Sequence, residues 1–454
     1  MRNLIRSSER YRWYALAVIM LGSTMGTLDA SIANVALPTI AHAYAATLDE
    51  TEWVLLAFML VTSSTLVLFG RLGDMFGQKR IYLGGFAIFG LSSLACAFAP
   101  SLAILIAARA IQAIGAAMLV SSNQALIVDT FPATERGRAI GFNGGAVAVG
   151  LSLGPIVGGA IVTFWHWQWI FLINVPISLL AMLGASLVLK PVKRGGSGFD
   201  PIGAVLCISG LFLVSLALSR GNAWGWETTR TVGALVAGAV LLAAFVFVER
   251  RVSAPTLDLK LFSNRLFAMS VLGAFVYFVA IAGLVFIVPL AAQTALHYSP
   301  FLAGLMLTPI TAMNVFLAPT AGALSDRVPI RYVSTFGACC VALGLFLISR
   351  LPAEPTSWQI VLAVIVAGFG TAVFSQPNNS AIMGSAPANQ RGIAAGTLAT
   401  ARTTGQLLGV ATAGAVYFLL TQKLGTNSFA PAGTYFGLSA IVMVGVAAIS
   451  WIRE

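Results

Sequence analysis

Three ionisable residues fall well inside long apolar runs of this 454-residue chain: Asp29, Arg109 and Arg402. A charge at the centre of a membrane span costs roughly 2.5–3.5 kcal/mol on insertion scales, so each needs a partner or a wet cavity. At a rise of ~1.5 Å per residue, Asp29 and Arg109 each sit about 12 Å from the outer ends of their runs. Equal depth and opposite sign make them candidates for an ion pair if their helices are neighbours. Burial favours a neutral carboxyl and a nearby guanidinium favours the carboxylate. An arginine that moves between two conformations can therefore put a proton on Asp29 and take it off. The competing account is a permanent pair that only fixes packing, although buried pairs are seldom worth keeping for stability alone. Arg402 lies near the middle of its run with no acid at matching depth. It either attracts an anionic group on a substrate or donates to facing carbonyls.

A second set of polar residues is expected to line the same cavity: Asn34, Gln112, Asn143, Asn174, Asn314, Gln376 and Asn378, with Asn123, Gln124 and Asn379 beside them. Gln112 follows Arg109 by three positions and shares its helix face. Interhelical hydrogen bonding accounts for any one of them alone. Together they suggest a wet interior. Asp129 falls at the inner end of its run, where a solvated role is expected. Small residues recur at four-residue spacing through Gly150, Gly154 and Gly158, with Pro155 and Gly159 among them. Such spacing lets helix backbones approach closely, and proline bends the helix.

The elements that must hold these residues follow from composition. Hydrophobic residues make up 58% of the chain and charged ones 9%, with a mean hydropathy of +0.90. A soluble domain carries about 25% charged residues, so a water-facing globule is excluded. Fourteen apolar runs are long enough to span a bilayer: 13–37, 52–69, 81–99, 101–128, 139–164, 167–189, 201–219, 231–248, 267–291, 300–322, 332–349, 358–384, 392–420 and 433–452. The fold class is all-α, a polytopic membrane protein. With the N-terminus inside, 20 of the 26 Lys and Arg fall on the inner side and 4 on the outer. This is the positive-inside pattern, and it places both termini in the cytoplasm. The net charge of +11 thus reports orientation, with no nucleic-acid partner expected. The first run exceeds a signal peptide's apolar region and holds an aspartate, so it reads as a retained helix. The four cysteines lie in apolar runs without CxxC spacing and read as packing residues.

The two ends of the chain repeat one another. Gly70-Arg71-Leu72-Gly73-Asp74 returns 252 residues later as Gly322-Ala323-Leu324-Ser325-Asp326, and Glu135-Arg136-Gly137 returns 255 later as Gln390-Arg391-Gly392. Pro38 and Pro289 stand 251 apart. Parallel duplication places a binding site between two helical bundles. The expected units are a six-helix bundle over 1–190, two linking helices over 191–250, a linker over 251–266 and a second six-helix bundle over 267–454. Asp258 to Phe262 is expected to form a short helix on the inner membrane surface.

The sequence resembles the fourteen-helix drug:proton antiporter branch of the major facilitator superfamily along its whole length. Leu28-Asp29-Ala30-Ser31-Ile32-Ala33-Asn34-Val35-Ala36-Leu37-Pro38 is similar to that branch's first-helix signature. Gly70 to Arg80 is similar to the superfamily loop motif, with Met75 and Gln78 where basic residues are usual. Arg109 to Gly115 resembles the fourth-helix motif, Ala113 replacing a customary glycine. Gly150 to Gly159 resembles the antiporter motif, and Trp169 to Pro176 is typical of the branch, with Gln168 where arginine is common. The resemblance implies alternating access, with Asp29 and Arg109 in proton coupling. It implies gating by Gly70, Gly73, Asp74, Gly77 and Arg80 at the inner face. Gly150, Gly154, Pro155, Gly158 and Gly159 would form a hinge and seal. It also implies export of amphipathic, often cationic compounds against proton entry, with a proton gradient as energy source and no cofactor or metal, while the compact tails suggest a bacterial plasma membrane. A monomer is expected, and a periplasmic adaptor is left open. Because Asp29 is the lone deep acid, neutral, zwitterionic, weakly anionic or lipophilic monocationic substrates are expected rather than dications. A dedicated exporter of a lipid, siderophore or metabolite on the same fold, or a proton symporter or uniporter, is the alternative.

Other classes find less support. No lysine follows a glycine, which excludes the phosphate-binding loop of an ATP-driven pump. There is no HExxH for a metalloprotease. Asp49 and Glu50 in an outer loop are what a membrane glycosyltransferase would use, but its large external segment is missing. The chain is not expected to be an enzyme.

Overall fold

The computed structural model describes residues 11–191, 200–252, 257, 259–298, 300–325, 327–424 and 429–452. Long helices fill them: α1 (Tyr11–Ala43), α2 (Leu48–Phe76), α3 (Gln78–Ala97), α4 (Leu102–Thr130), α5 (Arg136–Phe164) and α6 (Trp169–Val188). The chain continues with α7 (Pro201–Trp224), α8 (Thr229–Glu249), α9 (Arg265–Thr294), α10 (Thr308–Ser325), α11 (Ile330–Ser349), α12 (Ser357–Ser385), α13 (Arg391–Leu424) and α14 (Ala430–Ile452). Twelve helices among the described residues are long and apolar enough to cross a membrane. The others, α5 and α13, are continuous over 29 and 34 residues and lie against apolar neighbours on several sides. No strand occurs among the described residues.

Local chemistry sets the helix boundaries. Thr47 and Glu50 close a capping box at the start of α2, which gives Glu50 a structural task in the outer loop. Asn264 accepts from the Leu266 and Phe267 amides to begin α9, and Asp200 with Pro201 begins α7. Gly77 turns the chain between α2 and α3 at φ 94°, a conformation that any side chain would strain. The short helix expected after α8 takes the form of a 3₁₀ helix over Leu259–Ser263, with Leu261 buried and Lys260 exposed. Asp258 lies outside the described residues. Only one tight turn fits before the Asn264 cap.

Helices of the two ends of the chain meet along two seams, α2 against α13 and α5 against α10. At the side marked by Lys and Arg, a Cβ on Gly70 would collide with the Gly392 carbonyl, and one on Gly322 with the Gly137 carbonyl. The duplicated glycines thus make the same backbone contact twice. Asp326, the counterpart of Asp74, lies outside the described residues. The α7–α8 pair packs on itself and lays α7 against both α2 and α13, bordering one seam. Arg220 on α7 donates to Glu52 at 2.7 Å and Ser63 approaches Ser215 at 3.4 Å, which ties the pair to α2.

Candidate functional site

Asp29 on α1 and Arg109 on α4 form the pair that their depths imply. Arg109 Nη1 donates to Asp29 Oδ2 at 2.7 Å, and both side chains are almost completely buried. Gln112 Nε2 and Asn174 Nδ2 donate to the other carboxylate oxygen at 3.2 and 2.7 Å. Both oxygens of the Asp29 side chain accept. Three helices, α1, α4 and α6, therefore converge on one side chain.

Arg109 has other attachments. Its Nε donates to the Val54 carbonyl at 3.2 Å and its Nη1 to Gln112 Oε1. The guanidinium lies 4.3 Å from the Phe58 ring centroid and 5.5 Å from that of Phe171. Its Nη2 is buried without an acceptor. If Asp29 is neutralised, the cation keeps two acceptors and two aromatic faces. Gln112 is fixed in one orientation, since its carbonyl accepts from Arg109 while its amide donates to Asp29 and, at 2.7 Å, to Ser93. Arg109→Lys should retain charge yet lose this geometry, because a lysine is a point donor where a planar fork is used. Thermal denaturation of the purified protein should show a lower midpoint than wild type, with protein yield kept.

The glycine face of α5 lies against the Asp29 helix. A Cβ on Gly150 would strike Thr27 and one on Gly154 would strike Ser31, while one on Gly158 would press on Ile32 at 3.2 Å. These α1 residues bracket Asp29. Gly159 has open space beside it, and the Pro155 side chain lies outside the described set. On its inner half α5 meets α10, where a Cβ on Gly141 would collide with the Ala318 backbone. One helix thus touches both the carboxylate's surroundings and a seam.

At the inner end Asp74 accepts from the Gly392 and Ile393 amides, both at 2.9 Å, and from Gln78 Nε2 at 3.1 Å. A carboxylate on α2 therefore caps α13 of the other end of the chain, where the helix dipole favours an anion. Gly73 leaves room for the Gln78 amide. Lys79 turns away to the Ser186 and Leu189 carbonyls at the end of α6, and Arg80 is exposed. Asp129, expected to be solvated, is instead a near-buried acceptor for Arg391 Nη1 at 3.0 Å across the seam. Sequence reading missed this because the two residues are 262 apart and only the folded seam joins them. Burial and the neighbouring Arg391 push the Arg136 guanidinium below its ordinary pKa, and Asp129 partly offsets this.

The remaining polar residues divide. Asn123 donates to Ser23 Oγ at 2.8 Å, which donates to Asn143 Oδ1 at 2.6 Å, so Asn143 serves a link among α1, α4 and α5. Asn378 is buried and donates to the Ser270 carbonyl at 2.9 Å. Asn34 is exposed and stands apart from the Asp29 network. Gln124 has a buried carbonyl without a donor, and Asn379 is half-buried. Asn314 donates to Thr371 Oγ1 at 2.9 Å, and Gln376 reaches across to the space beside Gly144 on α5. Arg402 lies over Phe278, 5.5 Å from the ring centroid.

A family model described as Major Facilitator Superfamily matches residues 19–410. The riboflavin transporter RibZ of Clostridioides difficile is 34% identical over 88% of this chain and 87% of its own. The multidrug resistance protein Stp of Mycobacterium tuberculosis is 33% identical over 90% and 76%, and the methyl viologen resistance protein SmvA of Salmonella typhimurium is 32% identical over 93% and 85%. A solved structure of a double Trp mutant of XylE superposes with a TM-score of 0.71 at 15% identity, covering 98% of this chain and 96% of that one. That likeness concerns the fold. Matched through most of its length, the chain belongs to the Major Facilitator Superfamily and is a multi-pass membrane transporter.

Proposed function

We propose that this protein is a proton-coupled exporter of amphipathic small molecules that works by alternating access. The observation that carries the reading is the buried Asp29 carboxylate, held by Arg109, Gln112 and Asn174 on the helix that the α5 glycine face touches. Protonation of Asp29 removes the charge that holds Arg109, and the cation settles on Val54, Gln112, Phe58 and Phe171. The altered fit of α1 passes to α5 and from there to the α5–α10 seam. In this reading Asp74, Gly70 and Gly322 close the inner side, and all fourteen long helices cross the membrane, with both termini in the cytoplasm of a bacterium. Energy comes from the proton gradient, without a cofactor.

Relatives named for multidrug and methyl viologen resistance support a drug-export role. The relative named a riboflavin transporter favours a second reading, a dedicated carrier for one metabolite. Proteoliposomes with an imposed pH gradient separate them. Export of several unrelated lipophilic dyes, stopped by a proton ionophore, is the expected result. Movement of a single compound class, or transport indifferent to the ionophore, would overturn proton-coupled multidrug export.

A further inference from the structure

Arg402 is the deep charge that the Asp29 network leaves unexplained. It lies eleven residues into α13, about 16 Å from the inner end at ~1.5 Å per residue. Asn314 on α10 and Tyr277 on α9 stand at similar depth by the same count. Among the described residues the Arg402 guanidinium has neither an ion pair nor a hydrogen bond, and the residue is partly buried. The facing-carbonyl account of this residue is therefore not what the fold contains.

Its surroundings are aromatic and neutral. Phe278 offers a ring face, and Tyr277 faces Thr371, Ser375 and Arg402. Tyr277 stacks in turn on Phe374, with centroids 4.9 Å apart. Asn314 joins the group through Thr371. Among the described residues no carboxylate balances the cation there. The other deep arginine differs, because Arg109 is matched by Asp29 at 2.7 Å. A cation kept in a low-dielectric interior without a counter-charge is costly unless something else supplies that charge during the working cycle.

We infer that Arg402 is the substrate anchor of the second half and that it takes an anionic group carried on a flat aromatic body. The guanidinium would hold the acid group by charge-assisted hydrogen bonds, and the Tyr277–Phe278 pair would cover the ring. This rests on the transporter reading above but not on proton coupling. An anion at Arg402 does not compete with a proton at Asp29 for the same charge, so coupling would run through the movement of Arg109 and α5.

The test is equilibrium binding by the full chain in nanodiscs, without any gradient, using two probes of one skeleton. Resorufin is a planar aromatic monoanion at mildly alkaline pH, and 7-methoxyresorufin is its neutral ether. Fluorescence polarisation, corrected with empty nanodiscs, should show resorufin bound more tightly. Arg402→Gln should weaken resorufin about tenfold or more and the ether less than about twofold, as expected for loss of one charge-assisted contact. Arg402→Lys should recover most of the anion preference. Equal binding of the two probes, no binding of resorufin, or a loss in Arg402→Gln shared by both overturns the inference. Dye export driven by a pH gradient can persist in each of those cases, so failure here is distinguishable from failure of proton-coupled export.

Discussion

Asp29→Asn should abolish uphill export while leaving downhill movement of the same substrate. The amide keeps the size of the carboxylate and still accepts from Asn174 and Gln112, but it can neither carry charge nor exchange a proton. It also leaves Arg109 buried without its counter-ion. Breaking one partner of a buried pair costs roughly 3–5 kcal/mol. The actual loss should fall towards the lower end, since Val54, Gln112 and the two aromatic rings still hold the guanidinium. The thermal midpoint should drop measurably. Asp29→Asn with Arg109→Gln should regain stability, because replacing both members of a buried pair is often neutral, and yet stay uncoupled. A double variant that recovers uphill transport would make the pair a packing device and place coupling elsewhere.

Gly70→Leu should trap the protein away from the inner-closed arrangement. A Cβ at this position meets the Gly392 carbonyl and backbone rather than a side chain that could swing aside. Overpacking costs typically 1–3 kcal/mol, and about 1.4 kcal/mol shifts a two-state population tenfold. Because the contact exists only where two halves meet, the cost falls on closure and not on the fold of either half. Gly322→Leu should act alike through Gly137. Spin labels at Phe76 and Asn389, exposed at the inner ends of α2 and α13, would read the distance across the seam by pulsed electron resonance. The expected result is a longer distance and transport reduced about tenfold or more. An unchanged distance with full transport would remove these glycines from the gate.

Much of this organisation is written in the sequence because membrane insertion penalises polar residues so heavily. Asp29 and Arg109 had to find one another, and their matching depths were enough to pair them. Gln112 could be placed on the same face as Arg109 by helical spacing alone. Asn174 sits 145 residues from Asp29, and only the packing of α6 against α1 showed it to be a third donor. The duplicated Gly70 and Gly322 motifs were legible as repeats, whereas the backbone contacts that they make depend on the seam. Asp129 was misjudged for the same reason. A residue at a helix end looks solvated until the other half of the chain brings Arg391 to it. Asn34 fell within a family signature, yet it lies exposed and outside the Asp29 network, since five residues of helix turn it about 140° away from Asp29. The fold class was readable from composition and repeat. The partition of polar residues between the Asp29 network and links among other helices was not, because each asparagine costs the same in a span whatever it touches.

The most direct test of proton coupling through Asp29 follows protons and substrate together. Proteoliposomes holding a pH indicator would be loaded with an exported dye, and lumenal pH recorded while dye moves. Wild type should move dye uphill with a proportional proton flux in the opposite direction, and Asp29→Asn should show neither uphill dye movement nor coupled protons. Proton flux that still tracks dye movement in Asp29→Asn would contradict the assignment of this carboxylate as the coupling residue.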